Sequence, residues 1–292
     1  IRQAPDYSVH VSQKEYAENV KPMEISRERR NDPTAKATPK ELSEFRGITS
    51  ELNWMARITM PTIAYGVSDL QQRTCELTGH QLVQANNLWR TAKQNASEGE
   101  ELIFHSTDPE AKIWCGVVAD ASFMNQPREG SQGGFLVALT TEEILKGPAP
   151  FNVVEWASNK IHRKTRSTLA SEAAELSVAW DRASYVRTLV AEALHGLGEQ
   201  PLQETKDYKA RWQTMMNKVP AAILTDCRSL FDCCRKVGSL PSERRVALDL
   251  LDVRESLEEN GDVIRWGPTH VMAADCLTKW GVDPDLLKNL LK

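Results

Sequence analysis

Four acids, Asp120, Glu172, Asp226 and Asp275, stand where an unpaired carboxylate is costly. Residues 113–123 read IWCGVVADASF, a Val-rich, strand-like run with no basic partner that leads straight into Asp120. Residues 221–226, AAILTD, repeat the device and end on Asp226. Taken singly, either Asp serves equally well as a cap for the turn or helix that follows. In an α/β sheet, though, residues at the carboxyl ends of neighbouring strands converge in one crevice. Glu172 is placed by a helical wheel over 168–195. Leu169, Leu176, Ala183 and Val190 form its apolar stripe, and Glu172 falls inside that stripe. Glu175 falls roughly 60° further round, at the edge toward Arg182. A core-facing acid is destabilising unless a cation or metal meets it. Arg187 lies on the same stripe about four turns on, a structural alternative as partner. Asp275, in PTHVMAADCLTKWG, opens the last short helix, where by itself it reads as an N-cap.

Together the four acids imply more than four caps. Carboxylates gathered in one site repel and cannot all stay ionised without cations. A dense set of oxygen-only ligands suits Mg²⁺ or Mn²⁺ rather than zinc. Two such ions about 4 Å apart activate a water and stabilise the leaving oxygen in phosphodiester hydrolysis. On this reading Asp120 is a metal ligand.

The elements that must position these acids follow from apolar periodicity. Residues 26–40, SRERRNDPTAKATPK, have no apolar period and read as an exposed linker. Phe45, Ile48, Leu52 and Met55 mark a first helix, Pro61 interrupts, and a second helix follows. A third over 80–94 turns Leu82, Ala85, Leu88 and Trp89 inward. Strands are expected at 112–120, 133–141 and 151–159, joined as an antiparallel meander by Gly- and Pro-bearing turns. The long helix ends near Gly196, and 196–218 is a polar connection with a short helix. A strand at 221–226, helices at 228–237 and 242–259, a strand at 262–267 and a helix around 273–279 complete the pattern. That order implies a mixed sheet with helices on its faces.

At 292 residues, with 41 % hydrophobic and 26 % charged residues, the chain can bury a substantial core. It has no run of roughly 20 apolar residues for a membrane span. It begins IRQAPDYSVH, without a secretory signal or initiator Met, which suggests a fragment or processing product. The six Cys form no CxxC pair, which points to reduced thiols in a cytosolic or nuclear setting. A net charge of −4 means that any nucleic-acid surface must be local.

In this order the residues resemble the ribonuclease H domain of LTR-retrotransposon reverse transcriptases of the copia type. The likeness runs through VVADASFMN, GSQGGFLVAL, EWASNKIHRKTRSTLASEAAEL, ILTDCRSLFD and WGPTHVMAADCLTK. Upstream, FRGITSELNWMARITMPTIAYGVSDLQQR is similar to the segment that follows the polymerase palm in such proteins. The resemblance implies a ribonuclease H-like α/β fold, a mixed five-stranded sheet with flanking helices, preceded by a small helical subdomain. It divides the chain into an N-terminal remnant and linker (1–40), a thumb- or connection-like helical subdomain (41–108), the ribonuclease H-like domain (109–282) and a tail (283–292). It further implies a two-metal site of Asp120, Glu172, Asp226 and Asp275 holding Mg²⁺ or Mn²⁺. SEAAEL offers Glu175 as a rival, since the family often has Glu-Ala-Glu here. Counting from Thr168 and the wheel both favour Glu172. Cys227 stands where Ser or Asn is common. The Tyr-x-Asp-Asp polymerase box is absent and no Asp-Asp pair occurs, so this piece cannot polymerise DNA alone. Retroviral-type integrases place the helical Glu after the second Asp; here Glu172 comes between Asp120 and Asp226.

The implied activity is hydrolysis of the RNA strand of RNA–DNA hybrids, with the reverse transcriptase palm as partner in the full polyprotein. The setting would be cytoplasmic, in a virus-like particle, or nuclear. Lys160, His162, Arg163, Lys164 and Arg166 precede the Glu172 helix and are expected to touch phosphates, because such an enzyme follows the duplex backbone. Arg244 and Arg245 form a weaker second patch. Ser131 and Gln132 are expected at the sugar-phosphate backbone on the resemblance alone. His270 is a candidate proton shuttle or an idle exposed histidine. The competing reading is a silent remnant that keeps the fold to bind nucleic acid or a polymerase; the retention of all four acids in register speaks against it.

Overall fold

The change of apolar period near residue 100 separates a helical half from a sheet-centred half. In the computed structural model the described residues are 1–196, 208–236 and 241–292. A small antiparallel sheet joins the amino terminus to the middle of the chain. Its strands are β1 (Arg2–Gln3), β2 (Val9–Val11) and β3 (Leu102–Phe104), with Val9 opposite Phe104. Five helices lie between β2 and β3: α1 (Lys14–Asn19), α2 (Arg27–Asn31), α3 (Pro39–Ile58), α4 (Ala64–Gln72) and α5 (Gly79–Ser97). Phe45, Ile48, Leu52, Met55, Leu82, Ala85 and Leu88 are all buried in one cluster, as their spacing predicts. The linker reading of 26–40 misses local order. Ser26 caps α2, and Thr38 and Glu41 form a capping box on α3 behind Pro39.

The main sheet comprises β4 (Ile113–Gln126), β5 (Gly130–Thr141), β6 (Asn152–Lys160), β7 (Ala221–Thr225) and β8 (Val263–Trp266). Its order is β6-β5-β4-β7-β8, antiparallel through β6, β5 and β4 and parallel from β4 to β7 to β8. Helices α6 (Thr168–His195), α7 (Tyr208–Lys218), α8 (Arg228–Arg235), α9 (Arg244–Glu259) and α10 (Asp285–Leu290) accompany it. The result is a mixed five-stranded sheet with flanking helices, compatible with a ribonuclease H-like fold. Part of the predicted 196–218 connection, and the predicted helix end at 237, fall on 197–207 and 237–240, outside the described residues.

Side-chain alternation on β4 builds two cores. Cys115, Val117 and Ala119 face α6, α7, α8 and α9, while Val118 faces Met272–Leu277 and α10. The tail is anchored there: Leu287 and Leu291 are buried, and Leu291 O accepts from Ile103 N at 2.9 Å. Ser167 caps α6 by accepting from Ala170 N, and alanines at 170, 173, 179 and 183 let the helix lie close on the sheet. The helical half docks against the meander through hydrogen bonds: Trp156 Nε1 donates to Ala56 O at 2.7 Å, and Gln72 Nε2 to Gln132 Oε1 at 2.9 Å.

Two adjacent glycines make close approach possible on both faces of β5. A Cβ on Gly133 would lie 1.8 Å from Glu175 Oε2, and one on Gly134 would lie 2.5 Å from Leu277 Cβ. These distances allow no side chain at either position without displacement of α6 or of the 273–278 turn.

Candidate metal centre

The parallel register of β4 and β7 brings the first two acids level. Val118 pairs with Leu224, so two residues further on Asp120 stands beside Asp226, just where β7 stops. Asp120 does not end its strand, as expected from sequence; β4 runs on to Gln126 against β5 because the hairpin outlasts the parallel pairing. Asp275 lies inside a 3₁₀ turn (Ala273–Leu277) and is not its N-cap, which is Met272. Carboxylate oxygens of Asp120, Asp226 and Asp275 all lie within 4.8 Å of one another. Asp120 and Asp275 are buried, and Asp226 is half-buried.

Neighbouring donors orient each acid. The fully buried Thr278 hydroxyl donates to Asp120 Oδ2, and Thr269 Oγ1 donates to Asp226 Oδ2 at 2.9 Å. Lys279 Nζ lies 2.7 Å from Asp275 Oδ1 and 3.6 Å from Asp120 Oδ2. Glu172 is not one of the close three. It comes from α6, near enough for the charges of Asp120 and Asp226 to act on it, and the Ala121 N–H favours its ionised form. Glu175, which the wheel places at the stripe's edge, is as buried as Glu172, because Gly133 opens space for it. Arg182 pairs instead with Glu155 on β6. The charge of Asp120 reaches both glutamates, whereas that of Asp226 acts on Glu172.

Burial, then the charges of Asp120 and Asp226, push the Glu172 carboxyl up to about 9. Burial and Asp120 push Glu175 up to about 8. Burial lifts Asp120 to about 6; Lys279 and Thr278 oppose the rise, and Asp275 and Asp226 add to it. Burial opposes the Lys279 ammonium, but Asp120 and Asp275 outweigh it and its value is raised. Carboxyls raised above their unfolded values near 4 hold protons that the unfolded chain has already released. They therefore subtract stability as pH climbs through that window. In chelator the melting temperature is expected to fall from about pH 5 to about pH 9, and a divalent ion should flatten the slope. Circular dichroism melts across that range check this; a melting temperature that rises with pH in chelator contradicts it.

The oxygen-only donors, their convergence and their deficit of positive charge fit a divalent cation. Asp120, Asp226 and Asp275 can hold such an ion, with Glu172 beside them.

The proposed nucleic-acid contacts fare unevenly. His162, Lys164 and Arg166 are exposed, as are Arg244 and Arg245 at the start of α9. Arg163 instead clamps Asp249 of α9 with both guanidinium arms, which fixes the loop to the helix. Lys160 Nζ donates to Pro127 O at 3.2 Å, and Lys164 to Arg128 O. A cavity of about 490 Å³ lined by Lys160, His162, Arg163 and Glu175 lies between this loop and α6. Ser131 and Gln132 need correction: both are buried, at 2 % and 0 % exposure. Ser131 bonds to Met124 N and Thr165, and Gln132 to Ser68 and Ser158, so neither offers a polar atom to a duplex. His270 is exposed, next to Thr269. Sequence reasoning missed Thr269, Thr278 and Lys279. Only Lys279 had a local signal, its i,i+4 spacing from Asp275.

No protein-family model and no curated protein matches the chain. Among solved structures, the crystal structure of prototype foamy virus protease-reverse transcriptase aligns with 61 % of this chain and 22 % of that one, at 13 % identity and a TM-score of 0.32. The alignment thus spans under a quarter of the viral protein, and a likeness this slight carries no argument about function. No helix among the described residues is long and apolar enough to cross a membrane.

Proposed function

We propose that the chain is the ribonuclease H part of a copia-type retrotransposon polymerase, cutting the RNA strand of RNA–DNA hybrids. The observation that carries the reading is the convergence of Asp120, Asp226 and Asp275 within 4.8 Å at the end of the parallel strand pair, with Glu172 alongside. These four would hold two Mg²⁺ or Mn²⁺ ions, and Glu172 is favoured over Glu175 because the charges of both Asp120 and Asp226 act on it. Bound there, the ions would supply water activation and charge stabilisation at the scissile phosphate. Thr278 and Thr269 hold the Asp120 and Asp226 carboxylates in place. Lys160, His162, Lys164 and Arg166 would carry the duplex backbone past the centre, with Arg244 and Arg245 further along it. The palm of the full polyprotein would present the hybrid, in the cytoplasm or nucleus.

A strand-labelled RNA–DNA hybrid, offered beside duplex RNA and duplex DNA, tests this directly. The RNA strand of the hybrid alone should be cut in Mg²⁺ or Mn²⁺, and cutting should stop in chelator. A hybrid that is bound but uncut in either metal would instead make the chain a binding remnant.

A further inference from the structure

The carboxylate centre already contains one positive charge of its own. Lys279 Nζ sits 2.7 Å from Asp275 Oδ1 and 3.6 Å from Asp120 Oδ2, between two of the three acids that converge within 4.8 Å. Among the described residues no other lysine or arginine pairs with Asp120, Asp226, Asp275 or Glu172. The backbone that carries it is fixed: Thr278 is fully buried, and the N–H groups of Thr278 and Lys279 both donate to Asp275 O, at 3.1 and 3.2 Å. The Lys279 side chain is nevertheless 38 % exposed, so its head has a way out to solvent. A compact ammonium on a flexible four-carbon stem can occupy such a position and leave it without moving the fold.

We infer that Lys279 is a tethered counter-cation of the metal centre, which neutralises the acids in the metal-free protein and must swing aside for a divalent ion to enter. This rests on the reading of the four acids as a metal site. Two cations cannot share the Asp120 and Asp275 oxygens without mutual repulsion, so the ammonium and the metal compete. The lysine is thus a positioning residue that sets how tightly the centre takes metal and keeps the empty centre from being forced apart by its own charge.

The test is calorimetric titration of the full chain with Mn²⁺, alongside thermal melts in chelator and in Mn²⁺. Lys279→Met should bind Mn²⁺ about tenfold tighter than the unaltered chain, equivalent to about 1.4 kcal/mol. It should also melt lower in chelator and gain more from Mn²⁺. Lys279→Arg, which keeps the charge, should stay near the unaltered affinity, an outcome that a purely structural role would not produce. Lys279→Gln serves the same purpose should the Met variant fail to fold. Equal or weaker Mn²⁺ binding by the neutral variants, with binding still abolished by Asp120→Asn, would overturn the inference and leave the metal centre standing. If neither the unaltered chain nor the neutral variants bind Mn²⁺, both the inference and the metal reading fall.

Discussion

Asp120→Asn is expected to lower hybrid cleavage by at least roughly 10³-fold while leaving hybrid binding within about twofold. Asp120 sits at the middle of the centre: its carboxylate raises Glu172 and Glu175, lies within 4.8 Å of Asp226 and Asp275, and is 3.6 Å from Lys279. Loss of a ligand that supplies several kcal/mol of transition-state charge stabilisation corresponds to about three powers of ten in rate. The amide still accepts the Thr278 hydroxyl bond, so the fold should persist. It should in fact be firmer in chelator, because one charge is gone from a crowded site. A melting temperature that rises while cleavage vanishes would be the signature of a residue kept for chemistry at the expense of stability. Cleavage within tenfold of the unaltered chain would show that Asp120 is no metal ligand.

The second large effect concerns the far end of α6. Arg187 and Asp262 form an ion pair whose side chains are both fully buried, with bonds of 3.0 and 2.8 Å. Arg187 also donates to Val219 O and Met216 O and lies over the Trp180 ring. Asp262 in turn accepts from Ala221 N and Ser256 Oγ. One guanidinium therefore ties α6 and the end of α7 to the start of β7 and the entry to β8. Arg187→Met would strand a buried carboxylate and is expected to cost about 3–5 kcal/mol. Melting should drop by roughly 10 °C. The deficit should shrink at acid pH, where the stranded Asp262 takes up a proton. Pairing it with Asp262→Leu should recover much of the loss, since apolar groups of similar volume often replace a buried pair without penalty. A single variant that melts within about 2 °C of the unaltered chain would show that the pair is dispensable.

Local pattern made much of this molecule readable. The helical spacing of Phe45, Ile48, Leu52 and Met55, the Val-rich apolar run of IWCGVVADASF and the Ser167–Thr168 start of α6 each depend on neighbours within a few residues. The elements accordingly lie close to where those patterns place them. The Val-rich run into Asp120 and the stripe that includes Glu172 likewise marked acids with no local reason to be there. Their convergence was a further step, and it follows from the parallel pairing of β4 with β7 over a sequence gap of about a hundred residues.

Sequence alone, then, determined the types of the main-sheet strands and of the long helices and singled out the acids, because helix and strand periodicity and the solvation of charge act over short stretches of chain. It missed the small amino-terminal sheet, whose two- and three-residue strands are too short to show a period. Tertiary structure alone decided which groups meet those acids. Arg187 stood out on the stripe as a candidate partner for Glu172, but its partner is Asp262, which comes from a different layer. Ser131 and Gln132 looked available for a duplex until the helical half and the 165–171 segment covered them. Glu175 was placed at an edge by a wheel that knows nothing of Gly133 across from it. The physical reason is common to all three. Burial and electrostatic pairing are properties of surfaces that face each other, and the facing surface is contributed by residues that no local period can register.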